Sequence, residues 1–312
     1  MSTAFYSHPA CRGHDMGAGH PECPQRLDAI TDHLLATGLD VALDHREAPE
    51  ATREQLSRAH TSNYVNQTHD LLVQVQSSGE SRAMDPDTWA ALGTLPAALR
   101  AAGAAVAATD DVLAGRAKNA FCAVRPPGHH ATRDATMGFC FFNNVAVAAR
   151  HALDVHGLQR VAIIDFDVHH GNGTEDIIAG DERVLMCSFF QHPLYPYSGA
   201  VPKGTNMVNV PVAPYTRGPA VRQTITDMWL PELERFAPQM IFISAGFDAH
   251  REDDLGQMAL VEDDYAWITR QLMQVAQRHA QGRIVSCLEG GYSLSALARS
   301  VAAHVRVLAD LA

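Results

Sequence analysis

The sequence predicts an α/β protein, a parallel sheet with helical crossovers, and three observations carry that expectation. Short continuous apolar runs recur along the chain, among them AFCAV (120–124), VAII (161–164), MIFIS (240–244) and IVSCL (284–288). Such runs fit strands buried on both faces of a parallel sheet. Longer stretches with helical periodicity lie between them, as crossover connections require. The apolar runs also stop abruptly in clusters of His, Asp, Gly and Tyr. No buried strand continues through so many ionisable groups without partners. At the carboxyl ends of parallel strands the same groups face a crevice, where α/β proteins bind ligands.

Composition narrows the class. An apolar fraction of 46% over 312 residues supports a sizeable core, and neither a linker nor an internal repeat is visible, so one domain spanning 1–312 is expected. No apolar run is long enough to span a bilayer. The start, MSTAFYSHPACRGHD, lacks a secretory pattern, and the six cysteines form no CxxC pair. Reduced thiols in a cytoplasmic protein are therefore expected. A formal charge of −11 argues against general nucleic-acid binding. The expected partner is a small molecule, with neither membrane nor nucleic acid, and a homo-oligomer remains open.

In chain order, 3–6 reads as a first strand running into a polar loop rich in Gly, His, Pro and Cys. Pro24 opens a helix through Leu27, Ile30 and Leu34, with Gly38 as its stop. Arg26 falls in the first turn, where a cation is unfavourable, so a specific anionic or carbonyl partner is expected. Helical patterns follow over 54–76, with a break near His60, and over the Ala-rich 87–113. After the strand 120–124 comes RPPGHHA, and after GFCFFNN a helix over 145–156. The strand 161–164 leads into DFDVHHGNGT and a short helix. Strands at 184–189 and 207–212, a helix over 221–236, the strand 240–244, a helix over 263–281, a strand 283–288 and a helix over 295–311 complete the chain.

Four strand ends thus carry His129 and His130, Asp167 and His169, Asp248, and Tyr292. A parallel sheet brings all four to one edge. Asp167 and His169 are two apart and share a side in extended geometry. With Asp248 they supply three ligands and leave a position open, as catalytic metal sites do. A polar turn after the strand would account for the central stretch alone, but not for the convergence. A divalent ion there polarises a carbonyl and lowers the pKa of water. His129 and His130 are candidate general base and acid, and Tyr292 a candidate oxyanion donor. Together these parts suit metal-assisted hydrolysis of an amide or ester.

The motifs RPPGHH, GFCFFNN, DFDVHHGNGT, AGFDAH and EGGY, in this order, resemble the histone deacetylase family, which includes deacetylase-like amidohydrolases and acetylpolyamine amidohydrolases. The resemblance extends to GHPECPQRL near the start. It implies the arginase/deacetylase fold, with an eight-stranded parallel sheet and helices on both faces, and a catalytic zinc (Zn2+) on Asp167, His169 and Asp248. It implies that His129 and His130 are the tandem histidines, His130 being the base, and that Tyr292 stabilises the transition state. Asp165 matches the group that orients His129 and that binds structural potassium (K+). Ser188, Phe189 and the main-chain oxygens of Asp167 and His169 would complete the potassium site. Asn172 matches the residue orienting His130, aspartate in some branches of the family and asparagine in others, the class II type included; an amide stabilises imidazolium less, so a lower His130 pKa is expected. Phe139 and the Gly138 carbonyl match the acyl-chain tunnel, with Tyr195 or Tyr197 opposite and Tyr197 preferred.

The chain departs from the family pattern at AVPKGTNMVNVPVAPYTRGPA, whose final loop is poor in glycine. The acidic rim residue that would anchor substrate is Asp85 or Asp87. The leading expectation is removal of an acyl group from acetyl-lysine or an acetylpolyamine; the alternative is a broader amidase or esterase. A two-manganese ureohydrolase would need further bridging aspartates. A silent acyl-lysine-binding module would not need Tyr292 and both histidines.

Overall fold

A computed structural model of the chain describes residues 2–311. The elements run β1 (Thr3–Ser7), α1 (Gln25–Ala36), β2 (Leu43–Glu47), α2 (Arg53–Leu56), α3 (Ser62–Ser78), a two-strand hairpin of β3 (Arg82–Ala83) and β4 (Trp89–Ala90), and α4 (Thr94–Leu113). Then come β5 (Asn119–Cys122), α5 (Asn144–Asp154), β6 (Val161–Asp165), α6 (Asn172–Ile178), β7 (Val184–Gln191) and β8 (Met207–Val212). The last part is α7 (Gly218–Thr224), α8 (Leu230–Phe236), β9 (Ile241–Ala245), α9 (Glu262–His279), β10 (Ile284–Leu288) and α10 (Leu294–Leu308).

Eight strands form one sheet in the order β2-β1-β5-β10-β9-β6-β7-β8, and every pairing is parallel. The strands β5, β10, β9, β6 and β7 are buried along their whole length, which is why they read as unbroken apolar runs. Edge strand β2, LDHRE, buries only Leu43 and is too polar to be read from sequence as a strand. Edge strand β8 carries Pro211, tolerated because an edge needs no second ladder. Helices α1, α9 and α10 pack together on one face, and α3, α4 and α5 on the other. In α10 the buried Leu297, Val301, Val305 and Leu308 follow helical spacing. No helix among the described residues is long and apolar enough to cross a membrane.

Two helices differ from their sequence patterns. Helix α4 begins at Thr94, not near Asp87, because Asp85 Oδ1 accepts the N–H groups of Asp87 (2.9 Å) and Thr88 (2.6 Å). That side-chain turn competes with the helix and holds the hairpin instead. The pattern over 221–236 is interrupted by a π-helical turn, Ile225–Trp229, just before Pro231. Pro231 has no N–H to donate, so the regular ladder cannot pass through it.

Arg26 finds both kinds of expected partner. Fully buried, it donates from Nε to the Gly291 carbonyl (2.7 Å), from Nη2 to the Glu289 carbonyl (2.5 Å) and from Nη1 to Glu22 Oε1 (3.1 Å). Arg125, also buried, grips both oxygens of Glu22 and donates to the carbonyls of Cys11 and His14. Burial opposes ionisation of Glu22, but Arg125 above all outweighs it and holds the carboxyl down at about 2. Its folded pKa thus lies below the unfolded value near 4.5. The linked stability is complete above about pH 4.5 and is lost as pH falls through about 2. Glu22→Gln strands two buried guanidinium groups and should cost about 3–5 kcal/mol at neutral pH. Urea unfolding of both proteins from pH 7 down to pH 2 checks this; equal stability at pH 7 and equal acid sensitivity would rule the role out.

Candidate active site

Parallel pairing brings the polar strand ends into one place. Asp165 ends β6 opposite Ser188 on β7 and Ser244 on β9, and Leu288 ends β10 opposite Ala245. Past these ends lie Asp167 and His169 from β6, Asp248 from β9, the Glu289–Tyr292 segment from β10, and His129 and His130 from β5. They surround a cavity of about 250 Å³, whose lining includes His129, His130, His169, Gly138, Phe139 and Tyr292. A larger groove of about 790 Å³ runs beside edge strand β8 and holds none of these groups.

At the floor, His169 Nδ1 lies 3.0 Å from Asp167 Oδ1 and 3.1 Å from Asp248 Oδ2. Both carboxylates are fully buried. Burial, then the charge of Asp167, pushes Asp248 up to about 7; burial opposes charge on His169, but its contacts with Asp167 and Asp248 outweigh that and raise it to about 10. Two buried carboxylates this close favour a positive charge between them. Two oxygens and an imidazole nitrogen are also a donor set suited to a divalent ion. The residues fit the metal. Gly290 is obligatory here, because a Cβ would stand 2.1 Å from Asp248 Oδ2 and 2.6 Å from Asp167 Oδ2. A second trio, Asp110 on α4, His151 on α5 and His156 just past the end of α5, stands apart from the site, but Arg58 donates to His151 Nδ1 (2.8 Å). That leaves His151 Nε2–H to pair with Asp110 rather than to ligate.

The two histidines stand with ring centroids 4.0 Å apart in different environments. His129 Nδ1 contacts Asp165 Oδ2 (3.0 Å), and its Nε2 lies 3.8 Å from Asp167 Oδ2. Burial opposes its charge, but Asp167 and Asp165 raise its pKa well above the ordinary value. His130 Nδ1 donates to Asn172 Oδ1 (2.7 Å), which leaves Nε2 with a free lone pair. Burial first, then His129 and His169, lowers His130 far below the usual range. The expected lowering is present, with a different main cause: the Asn172 hydrogen bond itself acts upward.

Tyr292 lines the cavity, and burial raises its pKa, so the phenol keeps its proton. The Arg26 guanidinium lies 5.0 Å from its ring centroid. Phe139 faces Tyr292 edge-on at 6.1 Å, and Gly138, at φ +54°, leaves room for the His130 ring. One expectation is corrected. Tyr195, not Tyr197, lines the cavity opposite Phe139, with its ring 5.3 Å from that of His130. The Tyr197 N–H donates to the Leu194 carbonyl (2.8 Å), closing a turn, and its left-handed backbone (φ 60°) sends it outward, 74% exposed. Of the two rim candidates, Asp87 is the one carboxylate in the lining, and Asp85 is committed to the turn below it. Asp165 and Ser188 are fully buried, and among the described residues the Ser188 hydroxyl makes only a 3.5 Å contact, with the Phe189 carbonyl.

Among the buried acids without a sequence assignment, Glu289, Asp253 and Glu22 brace the site. Glu289 Oε2 accepts the N–H groups of Gly128 (2.6 Å) and His129 (3.1 Å). Asp253, on the loop after β9, accepts the N–H of Tyr292 on the loop after β10. Glu22 joins the two arginines, and its i,i+4 spacing to Arg26 is the signal that was there to find.

Fold and site together define a hydrolase of the amidohydrolase and deacetylase class. The family model described as the histone deacetylase domain matches residues 20–308, and the chain belongs to that family. It is 41% identical over 283 residues to a histone deacetylase-like amidohydrolase of Pseudomonas aeruginosa, covering 88% of this chain and 73% of that one. It is 36% identical to a probable deacetylase of Archaeoglobus fulgidus (94% and 82% covered) and 36% identical to the human polyamine deacetylase HDAC10 (99% and 48%). The crystal structure of the HDA15 HD domain superposes with a TM-score of 0.91 at 34% identity, covering 99% of this chain and 88% of that one. If the buried trio holds the ion, Asp248→Ala should fall from about one metal equivalent per chain to near none. Elemental analysis of the purified proteins measures this, and undiminished metal in the variant would remove Asp248 from the ligand set.

Proposed function

We propose that the protein hydrolyses the amide of an acylated amine, such as acetyl-lysine or an acetylpolyamine, with zinc held by Asp167, His169 and Asp248. The observation that carries this reading is the convergence on one narrow cavity of the ligand trio, two histidines of opposed character and a protonated phenol. The bound ion would polarise the acyl carbonyl and make a water more acidic. His130, neutral and with Nε2 free, takes a proton from the attacking water and returns it to the departing amine nitrogen. Attack forms the carbon–oxygen bond, the carbon–nitrogen bond then breaks, and carboxylate and the protonated amine leave, both protons of the water ending on the nitrogen. His129 keeps a positive charge beside the reacting carbonyl, supported by Asp165. Tyr292 donates its O–H to the oxyanion. Phe139 and Tyr195 hold the acyl chain between them, the Gly138 carbonyl is an acceptor for the substrate amide N–H, and Asp87 offers an anionic contact to an amine or amide N–H outside.

The proposal includes a potassium ion at Asp165, Ser188, Phe189 and the main-chain oxygens of Asp167 and His169. The poorly partnered Ser188 hydroxyl beside a buried carboxylate supports it. The proposal also places the protein in the cytoplasm, acting on a small or peptide-borne amine.

The decisive experiment measures turnover of an acetyl-lysine peptide, an acetylpolyamine and an aryl ester, with and without chelator. Amide turnover that chelator abolishes and zinc restores is expected, as is inhibition by a hydroxamate. Ester turnover alone would favour the broader esterase, and amide turnover undiminished in metal-free protein would overturn the mechanism. In the same assay Tyr292→Phe should lower kcat by about two to three orders of magnitude with metal content unchanged. For potassium, replacing it by tetramethylammonium should lower Tm; the same Tm in both buffers would leave the second ion without support.

A further inference from the structure

Asp253 touches neither the cavity nor the ligand trio, yet it ties together two loops that form the cavity wall. It is 6% exposed. Its Oδ2 accepts the N–H groups of Tyr292 (2.6 Å) and Ser293 (3.0 Å), and its Oδ1 accepts the N–H of Leu255 (3.1 Å). Leu255 and Tyr292 both line the cavity, one on the loop after β9 and the other on the loop after β10. A buried carboxylate is costly unless several donors meet it, and here all three donors are backbone groups of the wall.

The segment they fix has little stiffness of its own. Gly290 and Gly291 precede Tyr292, and Gly291 sits at φ +121°. Helix α10 starts two residues later, and the hydroxyl of its first flanking residue, Ser293, makes no capping bond. Arg26 holds one side of the tyrosine, through the Gly291 carbonyl and the ring face. Nothing else among the described residues' hydrogen bonds holds the Tyr292 N–H.

We propose that Asp253 is a positioning residue for Tyr292, clamping its backbone so that the phenol meets the oxyanion, and setting the spacing between Tyr292 and Leu255. This rests on the role given to Tyr292 above. Displacement of a reacting group by about 1 Å costs on the order of a hundredfold. Asp253→Ala should therefore lower kcat by about tenfold to a hundredfold, with KM for the acetyl-lysine peptide and metal content little changed.

The test is a double-mutant cycle of Asp253→Ala, Tyr292→Phe and the pair, read as kcat with metal content and Tm measured on each protein. If Asp253 acts through the phenol, its removal costs kcat only while the hydroxyl is present, and the double variant matches Tyr292→Phe alone. Equal fold-losses in both backgrounds, or wild-type kcat in Asp253→Ala, would overturn the inference while leaving Tyr292 in place. Wild-type kcat in Tyr292→Phe would instead sink the role of Tyr292, and this inference with it. Should Asp253→Ala not fold, Asp253→Asn goes through the same cycle: it keeps one acceptor oxygen, so a smaller loss that vanishes in the Tyr292→Phe background is expected, and an additive loss overturns the inference.

Discussion

The arrangement of the whole carboxyl edge of the sheet depends on one electrostatic constraint: two fully buried carboxylates, Asp167 and Asp248, meet at a single imidazole. Like charges in a water-poor site cannot both persist without a cation. The surrounding chain is built to keep them there. Backbone N–H groups of His169 and Gly290 donate to Asp167, and that of Val168 donates to Asp248. Glycine at 290 lets the β10 loop touch both carboxylates. The adjacent histidine pair divides: Asp167 and Asp165 drive buried His129 up, and burial, then His129 and His169, drives His130 down. Acid–base assignments in hydrolytic sites follow from such divergence.

A second charged centre, of opposite balance, stands behind the first. Two buried guanidinium groups share Glu22 and spend their other donors on backbone carbonyls. Arg26 reaches Glu289 and Gly291, the residues that carry the chain to Tyr292. Glu289 in turn accepts from Gly128 and His129, so the β10 loop and the histidine loop are joined through one side chain. Glu22 and Arg26, far from the site in sequence, thus support the loop that carries Tyr292.

The junctions between buried strands and polar motifs are legible in the sequence because two constraints coincide there. A strand covered on both faces must be apolar, and the crevice at its end must not be. That contrast marks the strands before His129, Asp167, Asp248 and Tyr292 without any knowledge of tertiary contacts. Strand β2 is not legible, since an edge strand half open to water has no reason to be apolar. The hairpin before α4 is hidden because Asp85 decides it through two hydrogen bonds that outweigh helical propensity over 87–93. Asp253, in the run REDDL, has the appearance of a solvated acidic turn; only the loops that close over it make it a buried acceptor.

Tyr195 and Tyr197 show where pattern gives out. Both lie in LYPYSG, and both are aromatic residues next to the expected tunnel. Alternation in an extended segment would put them on one side, which makes either a fair candidate for the wall. The chain is not extended there. The turn closed from Tyr197 N–H to the Leu194 carbonyl breaks the alternation, and the positive φ of Tyr197 reverses its direction. One ring then packs edge-on to His130 and the other stands in solvent. What separates them is a backbone conformation with no strong sequence signature: no glycine or asparagine stands at the left-handed position, and a tyrosine occupies it instead. The cost of holding a tyrosine there, of order 1–3 kcal/mol, is carried by the surrounding fold, and it leaves Tyr195 against His130.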